Sequence, residues 1–140
     1  MTVVIDTNAM LPVLAARHPS GVILDAWIAG RFELTFSTEI LLEYEEVLPP
    51  RLGHGRWKEF GALLGLVSQR HGNVRHVNPS FRFHLIAADP DDDKFADCAI
   101  AAEADWIITN DHHFNVLIGS GYKPQPITPE EFVRRHLGGM

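Results

Sequence analysis

Cysteine is all but missing. Cys98 is the only one in 140 residues, so an internal disulfide is impossible and a cysteine-rich zinc site is excluded. By default that thiol is a small core residue. Long hydrophobic runs are missing too. No apolar stretch approaches the roughly 20 residues that span a bilayer, and Asp6 interrupts the N-terminal run too early for a signal peptide. The expectation is a cytoplasmic protein with no membrane partner. Positive charge is in deficit: 12 Lys and Arg stand against 18 Asp and Glu, a net charge of −6. That argues against a general basic surface that binds DNA without a metal. It does not exclude a nuclease, because acids gathered to hold divalent cations make the formal charge negative while the cations restore attraction for phosphate. Compositional bias is also absent. With 46% apolar and 21% charged residues, neither disorder nor a fibrous repeat is suggested, and the length suits one domain over 1–140.

What is present is an alternation of strand-like and helix-like segments. Val3, Val4 and Ile5 form a short β-branched run that reads as a strand buried on both faces, with Asp6 at its end. Thr7 adds a hydroxyl, and Asn8 is a good N-cap for a helix over 9–16. Asp6 thus falls at the carboxyl end of a strand just before a helix, where open α/β sheets place their ligands. It either caps that helix or serves a site. Helical spacing returns over 20–29, a second strand over 32–36, and a third helix opens at Ser37 with a stripe of Ile40, Leu41, Tyr44, Val47 and Leu48. Pro49-Pro50 is expected to stop it. A loop over 51–56, a helix over 57–69, a short strand over 74–77 and an irregular stretch over 78–88 follow. The chain closes with a strand near Pro126-Ile127 and a helix opened by the capping box Thr128-Pro129-Glu130-Glu131 and ended by Gly138 and Gly139.

The acids stand out against this frame. Glu43 lies beside the apolar stripe of the third helix, at the margin of the core, where only a partner distinguishes it from the rim residues Glu45 and Glu46. Asp93 and Asp97 are four residues apart ahead of a small-residue helix, so they share a face, and two like charges there weaken the helix by a few tenths of a kcal/mol unless a cation lies near. Trp106-Ile107-Ile108 then ends in Thr109-Asn110-Asp111, an echo of Ile5-Asp6-Thr7-Asn8. His112 and His113 are adjacent and point in different directions on any regular element, so a metal shared between them is not expected. Arg51, Arg56, Lys58 and Arg75 belong to a local basic patch around the fourth helix, open to two readings: ordinary surface charge, or a grip on a phosphate backbone.

Short links between strands and helices imply a mostly parallel sheet of about five strands with helices on both faces. In that fold Asp6 and Asp111 open onto one edge, and the helices bearing Glu43 and Asp97 can border it. Carboxylates so gathered repel one another by several kcal/mol, which divalent cations remove. All-oxygen ligands suit Mg²⁺ or Mn²⁺ better than zinc. A metal held this way can position a phosphodiester and activate water for in-line attack. Thr7, Asn8, Thr109 and Asn110 are candidates for orienting the ligand carboxylates or waters.

These residues resemble the PIN domain family. The match comprises Ile5-Asp6-Thr7-Asn8, Glu43 in the third helix, Asp97 in Asp93-Lys94-Phe95-Ala96-Asp97-Cys98-Ala99, and Ile108-Thr109-Asn110-Asp111, in order along nearly the whole chain. The run Asp89-Pro90-Asp91-Asp92-Asp93-Lys94-Phe95 and the Thr128-Pro129-Glu130-Glu131-Phe132 ending look like the subgroup of toxins of toxin–antitoxin pairs, relatives of the VapC type. The resemblance implies a three-layer α/β/α domain, Mg²⁺- or Mn²⁺-dependent ribonuclease activity on an RNA substrate, homodimers, and inhibition by a small cognate antitoxin. By position it assigns Asp6, Glu43, Asp97 and Asp111 to metal binding and catalysis, with Asp93 as an additional candidate ligand. A phosphotransferase of the haloacid-dehalogenase type, which also begins with an aspartate after a strand, needs a second Asp where Asn8 stands. A PIN-like module that binds RNA or protein without catalysis is the alternative from another class, and it gains nothing from unneutralised carboxylates in a cleft.

Overall fold

The computed structural model describes residues 1–138. Five short strands carry the fold: β1 Thr2–Ile5, β2 Glu33–Phe36, β3 Val74–His76, β4 Trp106–Ile108 and β5 Gln125–Ile127. They form one sheet in the order β3-β2-β1-β4-β5. Every neighbouring pair is parallel, so the sheet is wholly and not merely mostly parallel. Parallel strands need crossovers, and the helices supply them: α1 Thr7–Leu14, α2 Gly21–Ile28, α3 Thr38–Leu52, α4 His54–His71, α5 Asp93–Ala101 and α6 Pro129–His136. Strands β1 to β3 step in one direction, then the chain returns past β1 to lay down β4 and β5. Right-handed crossovers therefore put α1 to α4 on one face and α5 on the other, a three-layer α/β/α arrangement.

Val3, Val4 and Ile5 are all buried, as befits a central strand covered on both sides. Trp27, Tyr44, Phe95, Phe114 and Phe132 are the bulkiest fully buried side chains. Cys98 is also fully buried, and burial pushes its thiol up to about 12, so it is an inert core residue. Among the described residues no helix is long and apolar enough to cross a membrane.

Three local expectations are corrected. Asp6, not Asn8, is the N-cap of α1: its Oδ1 accepts from the Ala9 amide at 2.7 Å, while Asn8 is exposed. The helix starts one turn position earlier because β1 runs into it without a link. Pro49 and Pro50 do not stop α3, which continues to Leu52. The carbonyls that two prolines leave without an amide donor belong to Glu45 and Glu46, both exposed, so water can replace the lost bonds. The 51–56 loop accordingly shrinks to the turn at Gly53, whose φ of 90° suits glycine. At the other end Gly138 follows α6 with φ of 83°, and Gly139 lies outside the described residues.

Candidate active site

The strand order reverses between β1 and β4, and the register there pairs Ile5 with Ile108. The Asp6 amide extends this ladder by donating to the Ile108 carbonyl at 3.1 Å. Beyond that point the two chains diverge, which leaves a crevice at the carboxyl ends of the strands, the position where doubly wound sheets bind ligands. Asp6 stands on one lip and Thr109-Asn110-Asp111 on the other.

Thr109 joins the lips. Its buried hydroxyl donates to Asp6 Oδ2 and accepts from the Asp111 amide at 2.9 Å. Asp6 therefore acts as helix cap through one oxygen and faces Thr109 through the other, so the two readings of this residue hold together. Burial raises the Asp6 carboxyl above its ordinary range against the pull of the Thr109 and Ala9 bonds, and the charges of Asp111 and Glu43 push in the same direction as burial.

Glu43 reaches this crevice because its neighbour is pinned. The fully buried Tyr44 donates its hydroxyl to the Ile5 carbonyl, which ties α3 to the last residue of β1. Glu43 then meets Thr7, whose hydroxyl donates to Oε2, while Lys94 Nζ lies 2.6 Å from Oε1. Thr7 and Thr109 thus orient the carboxylates of Glu43 and Asp6. Asn8 and Asn110 are exposed and make no side-chain hydrogen bond among the described residues. Asn110 instead joins Asp111, His112 and Asn115 in lining a cleft of about 190 Å³ that opens beside Asp111.

A further acid, Asp92, comes up to Asp111 in this crevice. Asp89 caps a 3-10 turn over Pro90–Asp92, accepting from the Asp91 amide at 3.1 Å, and this turn swings Asp92 toward Asp111. Burial first, then a hydrogen bond with Asp111 and the charges of Asp89, Asp111 and Asp6, push Asp92 up to about 7. Asp111 is held low, first by the His113 amide, which donates to its Oδ1 at 2.9 Å. Asp92 Oδ2 is buried without a hydrogen-bond partner among the described residues.

Asp97 and Asp93 do something else. Asp97 is 1% exposed, and its Oδ1 accepts from the Phe83 amide at 3.0 Å; Asp93 Oδ1 accepts from the Ile86 amide at 2.9 Å. Burial raises Asp97 above its ordinary range, and the charges it feels most are Asp93, Arg82 and His84. Both acids line a cavity with Glu39, Arg82, His84, Asp91 and Lys94, the last of which reaches across to Glu43. They brace the irregular stretch over 78–88 against α5, which supplies its amides with the acceptors that a strand or helix would otherwise give.

The basic candidates divide. Arg56 donates from Nε to the Leu14 carbonyl at 2.5 Å and pairs with Glu59, so it finishes the C-terminus of α1. Arg75 donates to the Ala102 carbonyl and lies 4.0 Å from Glu33, at the edge of the sheet opposite the crevice. Both are engaged by groups of the chain itself. Arg51 and Lys58 are exposed on α3 and α4 and form no ion pair among the described residues.

Comparison with known proteins agrees with this geometry. A family model described as a PIN domain matches residues 2–113, the span that holds every acid of the crevice. None of the curated proteins matches the chain. With four fifths of its length covered by that model and its acids at the switch point of a parallel sheet, the chain belongs to the PIN domain family, whose members are generally nucleases.

Proposed function

We propose that this protein is a metal-dependent ribonuclease that hydrolyses RNA phosphodiester bonds, and that it is the toxin component of a toxin–antitoxin pair. The observation that carries the reading is the convergence of Asp6, Glu43, Asp92 and Asp111 on one crevice, relieved by a single ammonium, that of Lys94. Such a site is unstable to its own charge, and a divalent cation is the natural remedy. The donors fit one: the four acids offer carboxylate oxygens, Asp92 Oδ2 is buried without a hydrogen-bond partner among the described residues, and the charges of Asp89, Asp111 and Asp6 all disfavour a second negative charge on Asp92. Mg²⁺ or Mn²⁺ held there supplies Lewis acidity toward a phosphodiester and toward water.

The chain's own groups prepare the site. Thr109 and the Ala9 amide fix both oxygens of Asp6, so that carboxylate arrives with no rotamer left to search. Thr7 and Lys94 do the same for Glu43. Preorganisation of this kind removes reorganisation cost at the moment of reaction. The toxin assignment rests on the resemblance of the Asp89 to Phe95 run, and it brings a cognate antitoxin and a homodimer as partners.

The test is cleavage of an end-labelled mixed RNA pool in Mn²⁺, Mg²⁺ and EDTA. Cutting is expected in either metal, none in EDTA, and a loss of at least about a hundredfold in Asp6→Asn. Cutting that persists in EDTA or in that variant would remove the assignment. No cutting under any condition, with Mn²⁺ bound nonetheless, favours an inert binding module.

A further inference from the structure

His113 stands in the crevice without a role in the chemistry described so far. It is the second residue of the 3-10 stretch over His112–Leu117 that follows Asp111, and its amide donates to the capping Asp111 Oδ1. The imidazole is thereby turned back toward the acids. Nδ1 lies 3.3 Å from Asp111 Oδ1. One ligand atom each from Asp89, Asp92 and His113 lie within 4.8 Å of one another, and so do one each from Asp111, His112 and His113, so that His113 is common to both groups. His113 Nδ1 and Asp92 Oδ2 are both buried and without a hydrogen-bond partner among the described residues. A nitrogen and an oxygen left unpaired on two residues whose ligand atoms come this close suit a cation that accepts a lone pair from each.

We propose that His113 is a nitrogen donor to the divalent cation of this crevice, and that the site therefore takes Mn²⁺ in preference to Mg²⁺. The inference rests on the metal-dependent reading above and deepens it by naming the cation. Mg²⁺ is small and hard, holds its waters, and favours an all-oxygen octahedron. Replacing one oxygen by imidazole costs Mg²⁺ more than Mn²⁺, which stands at the start of the transition series whose affinity for nitrogen ligands rises from there. His112 is exposed on the neighbouring position, with its ring 4.6 Å from that of His113, and belongs to one of the two groups, whereas His113 belongs to both and has its Nδ1 buried.

The experiment loads the full chain with Mn²⁺ alone and reads nitrogen modulation of the bound ion by pulsed electron paramagnetic resonance, with calorimetric titration of Mn²⁺ and Mg²⁺ alongside. Wild type is expected to show a histidine nitrogen on the ion and to bind Mn²⁺ at least about tenfold more tightly than Mg²⁺. His113→Ala should lose the nitrogen signal and about tenfold in Mn²⁺ affinity, with Mg²⁺ affinity changed by about twofold or less. His113→Gln, closer in volume, should behave alike, and His112→Ala should keep the signal. Mn²⁺ bound without nitrogen modulation in wild type, or a signal that survives in the His113 variants, overturns the nitrogen donor while leaving the acidic site intact. Failure of wild type to bind either ion overturns the metal-dependent reading and this inference together.

Discussion

Asp92 and Asp97 sit on successive turns and serve opposite ends. Asp92 leaves one oxygen buried and open toward Asp111, whereas Asp97 uses its carboxylate to hold the Phe83 amide. Asp92→Asn is therefore expected to cut Mn²⁺ affinity by tenfold or more and to abolish RNA cleavage with little loss of stability. Asp97→Ala should do the reverse. It strands the Phe83 amide, at a cost of about 1–3 kcal/mol, and leaves Mn²⁺ affinity within about twofold. Urea unfolding together with metal titration on the two variants separates them; equal loss of metal binding would return Asp97 to the site. The sequence could not separate these roles, for a physical reason. An i,i+4 pair such as Asp93 and Asp97 does share a helix face, but nothing in the spacing says whether that face meets a sheet edge or a loop. The signal for Asp92 was Asp89-Pro90, a cap followed by proline, which starts a tight turn rather than the regular helix that the following alanines suggest.

Among the elements, α3 decides whether the crevice has three acids or four. It is held at its start by Ser37, whose Oγ accepts from the Ile40 amide at 3.1 Å, and in its middle by Tyr44 on the Ile5 carbonyl. Tyr44→Phe keeps the ring and removes only the hydroxyl. Leaving a buried carbonyl unpaired should cost about 1–3 kcal/mol, and Mn²⁺ affinity should fall severalfold as Glu43 loosens. If thermal stability drops while metal affinity stays, α3 is positioned by packing alone. The helix itself was legible from its stripe and its Ser37 cap, and the parallel strands from their short apolar runs. Its length was not, because the penalty of Pro49-Pro50 depends on whether the freed carbonyls reach water, which is a property of the folded surface. The partner that singles out Glu43 was hidden for the same kind of reason: Thr7 and Lys94 come from 36 residues before it and 51 after it, and only the crossovers bring them together.

For the whole molecule, a crevice that collects acids makes stability depend on pH and on cations in a defined direction. Without metal, Asp92 binds its proton up to about pH 7 in the folded chain, far above the ordinary 3.8 that the unfolded chain retains. Between those values the native state holds more protons than the unfolded state, so unfolding free energy falls as pH rises. Asp6, whose carboxyl is also raised, adds to this fall, whereas Asp111 is held low, first by the His113 amide, so its contribution is lost only in more acid solution. Asp105 works in the same direction as Asp111. The Thr2 amide donates to it at 2.7 Å and holds it below its ordinary range, so its contribution is present above 3.8 and is lost only in more acid solution, outside the window. In EDTA the melting temperature is accordingly expected to fall between pH 5 and pH 7.5. Millimolar Mn²⁺ should raise it most at the upper end, where the carboxylates are ionised and free to bind, by RT ln(1 + [L]/Kd). Asp92→Asn should flatten the decline in EDTA and remove most of the Mn²⁺ increment. A melting temperature that rises steadily from pH 5 to pH 7.5 in EDTA would show that the carboxyl groups of the crevice are not held in mutual repulsion, and the need for a cation would go with it.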